Sequence, residues 1–288
     1  MREEIVRTGG KINLYLFITG RRENGYHELD TLFVRLPEPL DTLVFRPAQR
    51  ESGIRVMCDT PGIDLEKNTL TKSYELYARA TGFAPAVDIE LTKGIPHGAG
   101  LGGGSADGAE VLAWLQRHNP EPLEELELNA LAAKVGADVP FFLARGARFA
   151  EGIGDILYPA EDGIGDWYCV LVCPQVHVNT AWAYAAWDAE NPSFSLTEKK
   201  KADKYNRSSY QCFYGMNDFE PAVFAANPVL AELKTQLIQA GAETAGMSGS
   251  GSALFGLFCD RERAAQAAEA LKGAEGRPAV YGPFLLEG

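Results

Sequence analysis

The stretch Ile95 to Ala109, IPHGAGLGGGSADGA, holds six glycines in fifteen positions. Glycine loses more conformational freedom on folding than any other residue, so a cluster this dense serves tight turns or a close approach of backbone to a ligand. Its surroundings narrow the choice. Ala86 to Thr92 alternates apolar and polar side chains as a strand does, and Ala106 to Gln116 reads as a helix with Ala109, Leu112 and Ala113 on its apolar face. Strand, glycine loop and a helix starting near Ser105 together aim free backbone N–H groups, and the positive end of a helix dipole, at a bound anion.

The rest of the first half is strand-rich. Lys11–Gly20, Glu28–Leu36, Thr42–Phe45 and Ile54–Cys58 are read as strands, with Asn24-Gly25 as a tight turn between the first two. Asn68 and Gly82 bracket a helix over Thr69–Thr81 as N-cap and C-terminal stop, and a further helix is expected over Leu123–Val135. The second half reads as a strand over Trp167–Cys173, helices including Asn227–Gly241, strands over Glu243–Met247 and Ala253–Phe258, a helix over Arg261–Leu271 and a strand over Ala279–Leu285. That order is a split βαβ, ferredoxin-like layer, so the fold class is α+β with two domains. The stretch Asp155–Asp166, rich in Gly, Pro and acidic residues, is the expected boundary.

Composition excludes several roles. A formal charge of −12 argues against a general nucleic-acid or anionic-membrane surface. No uncharged apolar run approaches the roughly 20 residues that span a bilayer, and the first residues lack a signal-like block, so the expectation is a cytoplasmic protein. Five cysteines form no CxxC pair, which speaks against a zinc site or a disulfide framework. The cationic run at 198–204 is expected to be a solvated loop.

Gly98, Gly100 and Gly103 satisfy GxGxxG, but a dinucleotide loop should open a parallel βαβ unit and be followed by an acid at a strand end, which this region does not offer. No Lys-Ser or Lys-Thr follows the glycines, so a Walker A loop is absent. The stretch from Pro96 through Gly100-Leu101-Gly102 to Ser105 instead resembles the ATP-binding motif of the GHMP kinases, the family of galactokinase, homoserine kinase, mevalonate kinase and phosphomevalonate kinase. Gly246-Met-Ser-Gly-Ser-Gly-Ser252 is similar to the third motif of that family, and Lys11-Ile-Asn-Leu-Tyr-Leu to the first. Within the family, GGKINLYLFITGRRENGYHELDTLF, GLGGGS and GADVPFFL look like the branch whose acceptor is a cytidine-diphosphate-linked sugar alcohol of isoprenoid synthesis.

The resemblance implies a two-domain GHMP kinase fold, with an ATP-binding domain over 1–158 and a ferredoxin-like, substrate-side domain over 159–288. It implies that ATP phosphates are held by Pro96, His97, Gly98, Ala99, Gly100, Leu101, Gly102, Gly103, Gly104, Ser105 and Ala106, that Mg²⁺ accompanies the nucleotide, and that Asp138 is the general base with Lys11 supplying the positive charge. It also implies that Asn13, Tyr26, His27, Thr180 and Tyr184 meet the acceptor, with Tyr26 as a stacking face, His27 bonding to the base, and Tyr184, or else Trp182, as the aromatic that follows Thr180. Position alone reads these residues otherwise: Asp138 as the cap of the next helical turn, Lys11 as a solvated charge at a strand end, and the two tyrosines as packing. Another small-alcohol kinase, or a binding protein on the same scaffold, stays open, as does a monomer or a homodimer.

One departure stands out. The family it resembles commonly shows two serines and an asparagine after the glycines, whereas this chain reads Ser105-Ala106-Asp107. A carboxylate one turn from a polyphosphate is unfavourable unless it faces a metal ion or solvent.

Overall fold

The computed structural model describes residues 2–287 except 59, 62, 63, 65–67, 162, 193–206 and 273–277. The cationic run at 198–204 lies outside the described residues. The chain forms two compact units that interleave in sequence, one of residues 1–10, 39–97 and 102–145 and the other of 11–38, 98–101 and 146–288. The expected division at 158/159 is a single cut; here the strands β1 (Glu4–Arg21) and β2 (His27–Pro47) each contribute to both units.

β2 joins two segments that the sequence reads as separate strands. Pro37 and Pro39, which cannot donate to a ladder, fall between the stretch that pairs with β5 (Arg148–Glu151) and the stretch that pairs with β4 (Val87–Thr92), so the strand runs through them. β4 is antiparallel to β2 and parallel to β3 (Ile54–Cys58).

In the first unit this sheet region is accompanied by α1 (Thr69–Thr81), α2 (Gly103–His118), α3 (Glu125–Val135) and the short α4 (Val139–Leu143). α1 has its expected bounds for the expected reasons: the Asn68 side chain accepts the Thr71 N–H, and Gly82 takes the left-handed conformation at φ 74°. Leu70, Tyr74 and Tyr77, spaced four and three apart, line its buried face. α2 begins two to three residues earlier than expected, because Gly102 at φ 69° ends the loop and releases Gly103 and Gly104 into helical backbone. Its buried face includes Ala109 and Leu112 as expected, while Ala113 is only half-buried and Val111, Trp114 and Leu115 are buried instead. Trp114 stacks on Phe45 of β2 with ring centroids 5.1 Å apart.

The second unit contains the hairpin of β5 and β6 (Ile156–Pro159), which the sequence reading did not anticipate, and a four-stranded antiparallel sheet. That sheet has the order β10 (Ala279–Leu285), β7 (Tyr168–Cys173), β9 (Leu254–Phe258), β8 (Thr244–Met247). Helices α5 (Thr180–Glu190), α6 (Glu220–Ala226) and α7 (Pro228–Gln239) lie between β7 and β8 in the chain, and α8 (Arg261–Leu271) between β9 and β10. This is the ferredoxin-like order expected. Its core gathers Val170, Val172, Trp187, Phe219, Leu237, Leu254 and Phe258, with Leu16 and Ile18 of β1.

Candidate active site

In the second unit, β1 carries Lys11 and Asn13 on one face, two residues apart. Lys11 is 4 % exposed, so it is not the solvated edge charge that its position suggests. Its ammonium donates to Asn13 Oδ1 at 2.7 Å and lies 4.9 Å from the centre of the Phe33 ring. A buried cation needs such partners, since desolvation without them is costly. Asn13 Nδ2 in turn donates to Thr31 Oγ1 at 2.8 Å, which fixes the amide with its oxygen toward Lys11.

The same unit brings together three segments far apart in sequence. Lys11 N–H donates to Leu101 O at 2.8 Å, Ala253 N–H to Ala99 O at 3.0 Å, and Ser248 Oγ donates to Gly100 O while accepting from Asn13 N–H. Gly100 explains why glycine is required in this part of the loop. It sits at φ +77°, and a Cβ there would stand 2.1 Å from Ser248 O. The 246–252 motif is held from behind by residues that sequence reading missed: Asn217 donates to Met247 O and Gly249 O, and Glu220 accepts the Met247 N–H. Glu220 is also paired with Lys234, yet burial raises its carboxyl above the ordinary range.

Around the Asn24-Gly25 turn, Tyr26 is 59 % exposed, which rules out the packing reading for its ring. His27 is buried. Its Nε2 is 2.8 Å from Asp188 Oδ1, its ring stacks on Tyr184 at 4.6 Å, and Trp187 meets it edge-on. Tyr184 is half-buried between His27 and Phe219, so its ring packs as position alone reads it. Trp182, the other aromatic near Thr180, is 42 % exposed. Thr180 Oγ1 is 2.8 Å from Ser250 Oγ, which ties α5 to the third glycine motif. No motif marks Asp188 in the sequence; only its place one residue after Trp187, on the turn of α5 following Tyr184, links it to the site.

In the first unit, α2 presents the N–H groups of its first turn, at Gly103, Gly104 and Ser105, free of helical partners. The Ala106 N–H already bonds Gly102 O, and its side chain is fully buried, so Ala106 supplies helix and packing rather than a contact. Pro96 and His97 lead into the loop from this unit, while Gly98 to Leu101 belong to the other. A Cβ on Gly136 would stand 3.9 Å from Ser105 Oγ, so the end of the glycine loop and the turn carrying Asp138 are neighbours. Asp138 occupies the N-cap position of α4 with helical backbone angles, and its side chain makes no capping hydrogen bond. The capping reading therefore fails for a physical reason: at φ −80° and ψ −12° the residue lacks the extended backbone of a side-chain cap.

Asp107 does not face solvent. It is 1 % exposed, and its Oδ2 accepts from Lys93 Nζ at 2.8 Å. The charge that looked misplaced in the sequence has a buried lysine opposite it.

Comparison with known proteins fits this geometry. The family described as GHMP kinases N terminal domain matches residues 68–146, and that described as GHMP kinases C terminal matches 196–277. A 4-diphosphocytidyl-2-C-methyl-D-erythritol kinase of Nitratidesulfovibrio vulgaris is 47 % identical over 97 % of this chain and 98 % of its own length. The chain belongs to the GHMP kinase family. A second relative of the same description, from Solidesulfovibrio magneticus, is 43 % identical over 95 % of each chain. Among solved structures, a 4-(cytidine 5'-diphospho)-2C-methyl-D-erythritol kinase superposes with a TM-score of 0.78 at 35 % identity, covering 99 % of this chain and 100 % of the other. A homoserine kinase from Cytophaga hutchinsonii superposes at 0.72 with 20 % identity, covering 100 % and 96 %. At that identity the likeness concerns the GHMP kinase fold alone.

Proposed function

We infer that this GHMP kinase transfers the γ-phosphate of ATP to the 2-hydroxyl of 4-diphosphocytidyl-2-C-methyl-D-erythritol, giving the 2-phosphate and ADP on the non-mevalonate route to isopentenyl diphosphate. The observation that carries this reading is near full-length identity of 47 % to a protein of that description, against 20 % to a homoserine kinase of the same fold. In this reading the loop from Pro96 to Ser105 holds the phosphates through backbone N–H groups, aided by the dipole of α2. Asp138 accepts the proton of the acceptor hydroxyl as its oxygen bonds to the γ-phosphorus and the bond from that phosphorus to the β-phosphate oxygen breaks. Lys11 supplies positive charge to the transferring group.

The acceptor side uses Tyr26, whose exposed ring offers a stacking face, with His27 and Tyr184 held against one another and Asp188 fixing the imidazole. Asn13 and Thr180 offer polar groups to the sugar alcohol and its phosphates. The donors at the start of α2 suit phosphate oxygens; Mg²⁺ would neutralise charge on those phosphates, and no residue of this chain is assigned as its ligand.

A coupled assay of ADP release with three acceptors tests the substrate. Turnover is expected with 4-diphosphocytidyl-2-C-methyl-D-erythritol and not with mevalonate or homoserine; turnover with either of the latter alone would make this a different small-alcohol kinase.

A further inference from the structure

Behind the glycine loop, in the first unit, lies a charge cluster that the reaction does not use directly. Lys93 follows the last residue of β4, Asp41 belongs to β2, and Asp107 is in the second turn of α2. Their side chains are 7 %, 0 % and 2 % exposed. Lys93 Nζ donates to Oδ2 of both aspartates. The other oxygen of Asp41 accepts the N–H groups of Gly94 and Ile95, at 2.8 and 2.9 Å, where the chain enters the loop. Gly103, the first residue of α2, sits against this cluster so closely that a Cβ would come 3.0 Å from Ile95 Cγ2 and 3.3 Å from Asp41 Oδ2.

Two buried carboxylates around one ammonium are a poor way to gain stability, because the desolvation of three charges is only partly repaid. Asp107 Oδ1 is buried without a hydrogen-bond partner, which adds to that cost. What the cluster does supply is a connection. It binds the entry of the loop, through two backbone N–H groups, to the helix that leaves it, through Asp107.

We propose that Asp41, Lys93 and Asp107 are positioning residues for the nucleotide phosphates, bracing the entry of the glycine loop against the second turn of α2. The proposal rests on the reading of Pro96 to Ser105 as the phosphate loop. The segment it braces is the one read as holding the phosphates, so loosening it acts on the nucleotide and not on the acceptor.

The test compares Asp107→Leu with Asp107→Asn in the full chain, by steady-state kinetics with each substrate varied and by titration with a non-hydrolysable ATP analogue. Both substitutions remove the surplus buried charge, and neither is expected to prevent folding. Leucine leaves Lys93 paired with Asp41 alone and releases α2, whereas asparagine keeps an oxygen for Lys93. Asp107→Leu is expected to raise the KM for ATP and the analogue's Kd by about tenfold with the acceptor KM unchanged, and Asp107→Asn to recover most of that loss. Equal values for the two variants, or a loss shared equally by acceptor and nucleotide, would overturn the brace while leaving the ATP reading intact. Failure of the unmodified chain to bind the analogue would instead overturn the ATP reading.

Discussion

At the scale of single residues, burial decides between roles that sequence position leaves open. Lys11 and Asp138 have ordinary readings as surface and capping groups, and each is somewhere else: Lys11 buried against Asn13 and Phe33, Asp138 on helical backbone without a cap; Asp107, whose charge looks out of place in the sequence, is paired to Lys93. Asp107 also has a consequence for stability. Burial is the largest influence on its carboxyl; with the negative charge of Asp41, and against the pull of Lys93, it raises the group from an ordinary 3.8 to about 7. An acid whose folded value lies above its unfolded one binds a proton on folding. Its stabilising contribution is complete below about pH 4 and is lost as pH rises through about 7. Asp107→Asn removes that loss, so its stability relative to the unmodified protein, measured by urea denaturation, is expected to increase between about pH 4 and about pH 7 and to level off above. A difference that is constant with pH would show that Asp107 titrates normally.

At the scale of elements, what was legible in the sequence is what local chemistry dictates. α1 follows from a capping asparagine, a buried stripe and a terminal glycine, and the ferredoxin-like order of the second half follows from alternating strand and helix patterns. Asn68→Ala is expected to cost about 1 kcal/mol of stability, read by denaturant titration, because the Thr71 N–H loses its acceptor. The elements that escaped were those set by tertiary partners. β2 reads as two strands because its prolines look like breaks, and only the change of pairing partner along it shows why they are tolerated. β5 and β6 are four residues each, too short for an alternating pattern to stand out. The start of α2 was displaced because glycine propensity argues against helix at Gly103 and Gly104, whereas close packing of Gly103 against Ile95 and Asp41 requires glycine there. The motifs themselves were legible, but their supports were not: Asn217, Glu220 and Asp188 stand in segments without a signature, and Lys93 meets Asp41 across 52 residues.

At the scale of the whole molecule, the identity of the chain as a GHMP kinase rests on matches along nearly all of its length, while its reaction rests on what those relatives do and on residues whose environments suit the same chemistry. The three glycine-rich or lysine-bearing motifs converge on one another in the second unit, and the free helix start lies beside the turn of Asp138 in the first. The most direct measurement is a phosphorus NMR spectrum of the protein incubated with ATP, Mg²⁺ and 4-diphosphocytidyl-2-C-methyl-D-erythritol. The expected result is ADP with an equal amount of a new phosphomonoester on the 2-oxygen, slowed by about 10² to 10⁴ in Asp138→Asn. ADP accompanied by free phosphate alone, or a phosphomonoester on another hydroxyl, would contradict it.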